Sequence, residues 1–324
     1  MTENYRCWAE IDRAALRHNA GVARERIGSA EMLAVVKANA YGHGMIGVAQ
    51  TLASEVQLFG VANLEEAIAL RDSGLAHPII ILGPALPEER PTIVERKFIP
   101  TISALEEAEA FDGIGPVAVN FKVDTGMGRM GVPETESLAV FKKVAALHNV
   151  RIHSISTHMP VSNEDESYTR DQLDRFRKVV EQFRSEVPGD YQAHVLQSAG
   201  TLAFNDTPYE IVRAGVMLYG ISPLAEFQRL LKPALTWKTR IALIRDMPAG
   251  HGISYGRTFI TPRPMRVATL SAGYADGYPR HISNRGANMI VRGKLCPLLG
   301  RVTMDLMVID VSHLPEATVG DEVI

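Results

Sequence analysis

The sequence predicts an α/β protein with an N-terminal (β/α)₈ barrel of the TIM type over residues 1–230 and a mostly β C-terminal domain over residues 231–324. Three observations predict this. Short β-branched runs alternate with helical patterns eight times over roughly 220 residues, close to the size of such a barrel. Helical periodicity fades near residues 231–233. Finally, 324 residues exceed what one hydrophobic core usually supports, so two domains are expected.

The predicted barrel strands are short apolar runs, and glycine or proline residues mark the joints between strands and helices. The eight strands are predicted at residues 33–37, 58–62, 78–82, 100–102, 117–123, 152–158, 194–197 and 210–213. Helices with apolar residues at helical spacing are predicted at 64–72, 104–110, 136–147 and 167–183. A doubly wound sheet would also alternate in this way, but the count of eight favours the barrel.

In the second domain, strand-like runs separated by glycine and proline replace the helices. They are predicted at 235–243, 266–269, 288–291, 296–299 and 306–311. The chain closes with residues 319–324, a turn followed by a strand that has only begun. We therefore expect a C-terminal domain that is truncated.

Composition excludes several classes of function. The net charge is −3 and charges of both signs are interspersed, so no nucleic-acid partner is indicated. The two cysteines, Cys7 and Cys296, have no metal-ligand spacing and imply no disulfide framework. The polar N-terminus lacks a signal-peptide core, and no apolar run is long enough to span a bilayer. A cytoplasmic protein without a metal is expected.

The first predicted strand delivers a lysine to the end of the barrel where active sites lie. The run Leu33-Ala-Val-Val-Lys37 is followed by Tyr41 and a glycine-rich turn. Burial lowers the pKa of a lysine, and a neutral lysine can form a Schiff base with an aldehyde cofactor. On this segment alone, a lysine that buries its stem and keeps its ammonium group in water is an equally good interpretation.

Other predicted strands bring further polar groups to the same end of the barrel. The fifth leads through Lys122 to Arg129, the sixth ends in His158, and the eighth ends in Arg213. Ser198 and the backbone N–H groups of the Gly215-Val216 turn follow strands seven and eight, where barrels commonly bind phosphate. Each residue alone has an ordinary structural interpretation, but their joint placement predicts an active site.

Eight motifs occur in the order seen in alanine racemases, and the chain resembles that family from about Ala9 to its end. They are AVVKANAYGHG, KVDTGMGRMG, STH, QSAG, VRAGVMLYG, GISYGRTF, GYADGYPR and GRVTMD. The resemblance implies a pyridoxal 5′-phosphate enzyme of fold type III that interconverts L- and D-alanine. It also implies a homodimer with active sites shared between subunits, and a supply of D-alanine for cell-wall peptidoglycan.

The resemblance assigns the cofactor to residues of the barrel. It implies that Lys37 holds the cofactor covalently, that Arg213 faces its pyridine nitrogen and that His158 packs beside its ring. The residues implied to hold the phosphate are Tyr41, Ser198, Gly215 and Val216.

The resemblance also assigns a second base and a substrate pocket. Tyr255 would be the second catalytic base and would come from the partner subunit. Arg129 and the backbone N–H of Met304 would bind the substrate carboxylate, and Tyr274 would line the substrate channel. Lys122 matches a lysine that is often carbamylated in the family; an ordinary ion pair with a nearby acid is the alternative.

Racemisation explains why two bases are needed. The Cα proton leaves one face of a planar carbanion and returns on the other, so Lys37 would serve one face and Tyr255 the other. A tyrosine has a pKa of about 10, so Tyr255 would need positive neighbours, which His158 and Arg213 could supply. Arg213 cannot accept a proton from the pyridine nitrogen, so the ring would stay neutral and reprotonation at Cα would be favoured.

Two motif positions depart from the common family pattern, and three functions remain open. Gln197 stands where asparagine is usual, and Thr303 where cysteine or serine is common. The functions are an alanine racemase, a broad-specificity or serine racemase of the same family, and a protein that binds the cofactor without turnover because of its missing C-terminus. The GISYG and VTMD motifs favour an enzyme. A related decarboxylase is disfavoured because its run of three glycines is absent.

Overall fold

The computed structural model describes residues 5–204 and 209–324, and the chain divides into two compact units. One unit is Asp12–Ala234 and the other combines Met1–Ile11 with Leu235–Ile324. Strand β1 (Cys7–Ile11) is antiparallel to residues 235–239, which places the start of the chain in the second unit. The predicted division at residue 230 had assigned these N-terminal residues to the barrel.

The Asp12–Ala234 unit contains an eight-stranded, parallel, barrel-like sheet, in agreement with the predicted alternation. Its strands are β2 (Glu31–Val35), β3 (Leu58–Val61), β4 (Ile79–Ile81), β5 (Ile99–Ile102), β6 (Val117–Asp124), β8 (Val150–Ser156), β9 (Gln192–His194) and β10 (Ile211–Ala214); the short β7 (Val132–Pro133) pairs beside β6. Strand β10 lies beside β2, and the Arg213 N–H bonds to the Leu196 carbonyl just after β9. The two ends of the sheet are thereby brought together.

Helices follow the strands. They are α1 (Arg13–Ile27), α2 (Lys37–Tyr41), α3 (Met45–Leu52), α4 (Leu64–Asp72), α5 (Arg90–Glu95), α6 (Leu105–Asp112), α7 (Glu134–Ala145), α8 (Glu166–Glu186) and α9 (Ser198–Ala203). Side-chain caps fix several starts, as where Asp12 accepts the Ala14 and Ala15 N–H groups. Inside the barrel, Leu33, Leu58, Ile80 and Ile211 belong to one buried cluster.

Three strands end two or three residues earlier than predicted, and these differences concern the site. Strands β2, β8 and β9 end at Val35, Ser156 and His194, so Lys37, His158 and Gln197 lie in the segments just beyond them. The apolar residues continue past each strand because these segments are still buried, and burial alone does not distinguish a strand from the turn that follows it.

The second unit is built from antiparallel strands, as predicted. They are β11 (Leu235–Met247), β12 (Gly252–Ile253), β13 (Phe259–Ile260), β14 (Met265–Leu270), β15 (Asn288–Val291), β16 (Lys294–Pro297), β17 (Met307–Asp310) and β18 (Glu322–Val323). The larger sheet has the order β16-β15-β18-β11-β14-β17, with β1 also on β11. Ile241, Met289, Val291 and Ile309 lie in its core. No helix in the described part of the chain is both long and apolar enough to cross a membrane.

Candidate active site

One cavity in the barrel unit, with a volume of about 460 Å³, gathers all nine residues that the sequence assigned to this unit. The nine residues are Lys37, Tyr41, Lys122, Arg129, His158, Ser198, Arg213, Gly215 and Val216. They lie in or just after five different strands, with Lys122 inside β6 and Arg213 inside β10. The cavity therefore lies at the carboxyl ends of the strands, where barrel active sites are found.

Lys37 opens a left-handed turn that the sequence did not predict. Ala38, Asn39, Ala40 and Tyr41 all have φ between 52° and 54°. This conformation is unfavourable by about 1–2 kcal/mol for each residue that carries a Cβ atom, so neighbouring groups must hold it in place. The Ala40 N–H bonds back to the Val36 carbonyl, and the Asn39 side chain accepts the Met45 N–H. The turn projects both Lys37 and Tyr41 into the cavity.

The environment of Lys37 favours its neutral form. Burial is the largest effect that lowers the pKa of Lys37, and the positive charges of Arg129 and Arg213 lower it further. The carboxylate of Glu66 acts in the opposite direction. A lysine whose pKa is lowered in this way has more of the uncharged amine that nucleophilic and general-base chemistry require.

Arg213 is held rigidly beneath the cavity. One terminal nitrogen, Nη1, donates to His194 Nδ1 at 2.6 Å and to the His194 carbonyl at 3.0 Å. The other, Nη2, donates to the Thr157 and Val195 carbonyls. Nη2 also lies 3.3 Å from His158 Nδ1. Burial lowers the pKa of Arg213 to about 10, so it stays charged at neutral pH. The Nε–H is the donor that these bonds leave available.

The sequence did not predict a network of buried, hydrogen-bonded polar residues next to Arg213. Because Arg213 only donates, it fixes His194 as the tautomer with its proton on Nε2, which lies 3.1 Å from Asn120 Oδ1. The Asn120 amide in turn donates to Thr101 Oγ1 at 3.0 Å, and Ser154 Oγ donates to Asn120 Oδ1. These polar residues stand among apolar residues in the barrel strands, and this pattern is the sign by which a buried polar network could have been predicted.

His158 is also kept neutral. Burial, followed by the charge of Arg213, lowers its pKa to about 2. Its Nδ1 faces the Arg213 guanidinium, so the proton of the neutral ring lies on Nε2. His158 is therefore a neutral, flat group at the cavity wall rather than a cation.

Ser198 and Tyr41 bring two hydroxyl groups to a cradle that Gly215 keeps open. Ser198 Oγ accepts the Gly215 N–H at 3.0 Å and the Met217 N–H at 3.3 Å, which leaves its hydroxyl proton free to donate. A Cβ atom at Gly215 would lie 3.2 Å from the Tyr41 hydroxyl, so glycine keeps the cradle open. Tyr219 packs against Tyr41 with ring centroids 4.9 Å apart and the rings tilted by 38°; its hydroxyl donates to the Val35 carbonyl, and it supports the cradle.

Lys122 lies deeper in the cavity. Burial, then Arg213 and Arg129, hold the pKa of Lys122 well below its usual value. Asp124 does not pair with Lys122 among the described contacts; its carboxylate accepts the backbone N–H groups of residues 126–128, which shapes the loop that carries Arg129. Ser156 Oγ, in the same cavity wall, is buried without a hydrogen-bond partner in the described chain.

The remaining three predicted residues lie in the second unit. Tyr274 and Met304 are neighbours there, because the Tyr274 and Ala275 N–H groups bond to the carbonyls of Thr303 and Met304. Tyr255 is 70% exposed and its hydroxyl has no bond among the described residues. Its loop is held by Ser254 Oγ, which donates to the Arg301 carbonyl at 2.6 Å.

Known protein families match both units of the chain. Residues 11–223 match the family described as "Alanine racemase, N-terminal domain", and residues 234–324 match "Alanine racemase, C-terminal domain". The alanine racemase of Halothermothrix orenii is 42% identical over 98% of this chain and 86% of its own length. That of Methylacidiphilum infernorum is 40% identical over 98% of this chain and 83% of its own length.

Solved structures give the same result. An alanine racemase from Clostridium difficile matches with a TM-score of 0.93 and 30% identity over 99% of this chain and 86% of that one. The alanine racemase of Bacillus anthracis with bound L-Ala-P matches with a TM-score of 0.89 and 31% identity, over 99% and 85% of the two chains.

Proposed function

This chain belongs to the alanine racemase family, and from that premise we propose that its barrel cavity binds pyridoxal 5′-phosphate and that Lys37 and Tyr255 move the Cα proton of alanine. The observation that carries the proposal is the convergence of a lysine with a lowered pKa, a buried arginine and a donor cradle on one cavity. D-alanine for peptidoglycan is the product that this function would supply.

The residues present fit the cofactor. Its phosphate needs donors and an open backbone, and the Ser198 hydroxyl, the Tyr41 hydroxyl and the Gly215-Val216 turn offer both. Burial raises the pKa of Tyr41, which keeps its hydroxyl a donor. The Nε–H of Arg213 would face the pyridine nitrogen, and Lys37 would hold the aldehyde carbon.

Bound pyridoxal phosphate would supply an electron sink for the negative charge that develops at Cα. Arg213 keeps its proton at neutral pH and can only donate a hydrogen bond to the ring nitrogen. It therefore limits how far that charge spreads, and return of the proton to Cα is favoured over other outcomes. Four hydrogen bonds from its terminal nitrogens, to His194, Thr157 and Val195, hold the guanidinium in the orientation that this role requires.

Two residues would exchange the proton. Lys37 would take or give the proton on one face of the substrate. Tyr255 serves the other face and comes from the partner subunit of a homodimer. The exposure of Tyr255 and its unpaired hydroxyl in the described chain support a role completed by a second molecule.

Substrate binding is assigned to three groups. Arg129 lines the cavity with an exposed side chain and would bind the carboxylate, together with the Met304 backbone N–H. Tyr274, beside Met304 in the second unit, would line the substrate channel.

We also propose that Lys122 is carbamylated. Its neutral amine adds to the carbon of CO₂ and releases one proton, which gives an anionic carbamate. Arg213 and Arg129 act on this position as positive charges, and Ser156 Oγ is an unused donor in the same wall. Growth in ¹³C-bicarbonate should give a protein-bound carbamate signal in NMR spectra that is absent from Lys122→Arg; the same signal in that variant would overturn the assignment.

The function is tested on the 324-residue chain itself. After reconstitution with pyridoxal phosphate, the chain should racemise both enantiomers of alanine. Borohydride reduction should attach the cofactor to the peptide that contains Lys37. Attachment to another lysine, with Lys37→Ala active, would overturn the assignment, whereas Lys143→Ala, an exposed site in the same unit, should behave as the native chain. The ratio of kcat/KM for alanine and serine separates an alanine racemase from one that prefers serine.

A further inference from the structure

We propose that Glu66 is a positioning residue for Lys37: its carboxylate ties the left-handed turn after β2 to the end of β3 and so fixes where the Lys37 amine lies in the cavity. The role of Lys37 in catalysis rests on the proposed function, but the structural clamp does not.

The clamp consists of two backbone hydrogen bonds to one carboxylate. Glu66 Oε1 accepts the Ala38 N–H at 2.6 Å, and Oε2 accepts the Ala62 N–H at 2.8 Å. Ala38 is the residue directly after Lys37, and Ala62 directly follows β3. Glu66 thus joins two neighbouring strand ends at the mouth of the barrel, and both of its oxygens are used.

The turn depends on such outside support. The residue before it, Val36, supplies no side-chain cap, and four successive residues occupy the left-handed region. Asn39 secures the later part of the turn through the Met45 N–H. Glu66 is the side chain that secures the beginning, next to the catalytic lysine.

Helix α4 does not itself need this arrangement. Its start is capped by Asn63, whose side chain accepts the Glu66 N–H at 3.0 Å, and Glu65 also offers a negative charge to the first turn. The direction of the Glu66 side chain is therefore explained by its hydrogen bonds to the Ala38 and Ala62 N–H groups on the neighbouring segments. Glu65, on the same turn of the helix and exposed, provides a matched control.

Glu66 also contributes charge. The groups that act on Lys37 are Arg129 from the loop after β6, Arg213 from β10 and Glu66 from α4, and Glu66 is the acid among them. Lys122, His158 and Tyr41 line the same cavity. Removing the carboxylate leaves Lys37 among positive charges alone, which favours its neutral form further.

The experiment compares Glu66→Gln, Glu66→Asp and the control Glu65→Gln. Lysines of the cofactor-free chain are dimethylated with ¹³C-formaldehyde and titrated by NMR, with the Lys37 signal identified by its loss in Lys37→Arg; kcat and KM are measured on the reconstituted chain. Glu66→Gln should move the Lys37 titration to lower pH and lower kcat by about tenfold or more, because small displacements of a reacting group slow catalysis strongly. Glu66→Asp keeps the charge but is too short to reach both N–H groups, so kcat should fall with the titration little changed.

Three results would overturn the proposal. They are a Glu66→Gln chain with native kcat and a native Lys37 titration, a Glu65→Gln chain with the same changes as Glu66→Gln, and a Glu66→Asp chain with native kcat. Circular dichroism checks folding, and if Glu66→Gln does not fold, Glu66→Asp decides the outcome. Hydrogen exchange of the Ala38 and Ala62 N–H groups needs neither cofactor nor turnover, and it should be faster in Glu66→Gln and Glu66→Asp than in Glu65→Gln; unchanged exchange would overturn the clamp. A chain without racemase activity would contradict only the proposed function.

Discussion

The two units differ in how they present the residues proposed for the site. In the barrel unit, Arg213 is 5% exposed and bonded on every side but one, and Lys37 stands on a turn held by several neighbours. In the second unit, Tyr255 is 70% exposed and Met304 54% exposed, with their reactive groups unpaired in the described chain. The barrel unit buries groups such as Arg213 and Ser198, whereas the second unit presents Tyr255 and Met304 outward.

This difference follows from the work proposed for each unit. A group that binds a charged cofactor must be preorganised in a site that excludes water, which requires burial and bonded neighbours. A group that approaches from a partner subunit must remain exposed in the single chain. Exposure of Tyr255 is therefore what a shared site requires, whereas an exposed Arg213 would be unable to hold one orientation. Four expected outcomes test this comparison.

The largest effect is expected from Tyr255→Phe, which removes the base proposed for the second unit. Proton abstraction from one enantiomer of alanine should fall by about 10²–10⁴-fold, the usual contribution of a general base. Exchange of the Cα proton in D₂O, followed separately for L- and D-alanine, measures it. Equal and small losses for both enantiomers would contradict the two-base scheme, and Tyr5→Phe, at another exposed tyrosine of the same unit, should be neutral.

Mixing two inactive variants tests whether Lys37 of one subunit and Tyr255 of its partner act at the same site. Lys37→Ala and Tyr255→Phe chains, unfolded and refolded together, should recover about a quarter of native activity, because random pairing in a symmetric dimer leaves about a quarter of the sites intact. Each variant refolded alone should stay inactive. If one chain supplied both bases to its own site, the mixture would show only the sum of its parents.

The barrel should also show a pH-dependent stability that comes from its buried groups. His158 has a pKa of about 2 in the folded chain and about 6.5 when unfolded, so below pH 6.5 the unfolded chain binds a proton that the folded chain does not. The free energy of unfolding therefore decreases as the pH is lowered from 6.5 towards 2, by about 1.4 kcal/mol per pH unit for this residue. Urea unfolding at several pH values should show a shallower decline for His158→Asn. The exposed His148→Asn control should keep the native slope; a native slope in His158→Asn would refute the prediction.

The smallest effect is expected at Gln197, one of the two departures from the family pattern. Its Oε1 caps α9 through the Gly200 N–H at 2.8 Å, and its Nε2 donates to Ser162 Oγ at 2.6 Å. Asparagine is too short to make both bonds, so Gln197→Asn should lower stability by about 1 kcal/mol and weaken cofactor binding severalfold. Thermal unfolding and a titration with pyridoxal phosphate measure both effects. Gln182→Asn, on the exposed face of α8, is the control, and stronger cofactor binding by Gln197→Asn would contradict the expectation.

The sequence predicted the elements better than their ends. Helix α4 has the predicted bounds, 64–72, and strand β15 has the predicted bounds, 288–291. Strand β1 was missed because Cys7–Ile11 is short and half-exposed, and only its pairing with residues 235–239 makes it a strand. Residue patterns reveal which segments are buried, whereas pairing with distant residues decides where a strand starts and stops.

In the candidate site, too, the sequence predicted some residues and not others. Its nine barrel residues could be found in the sequence because their motifs are continuous and follow strands in order. Glu66, His194 and Tyr219 were missed. His194 bonds directly to Arg213 and Tyr219 packs against Tyr41, whereas Glu66 bonds to the N–H of Ala38, the residue after Lys37. Such supporting residues lie in other segments of the chain, so local patterns carry little sign of them.

By itself, the sequence determined the alternation of strands and helices, the β-rich second unit and the chemistry available at the barrel mouth, because periodicity and residue type are local properties. Only the tertiary structure decided that Lys37 stands on a left-handed turn clamped by Glu66, that Arg213 has a single donor to spare, and that Lys122 lies among arginines. Those properties depend on burial, distance and charge between residues far apart in the chain, and these quantities exist only once the barrel is formed.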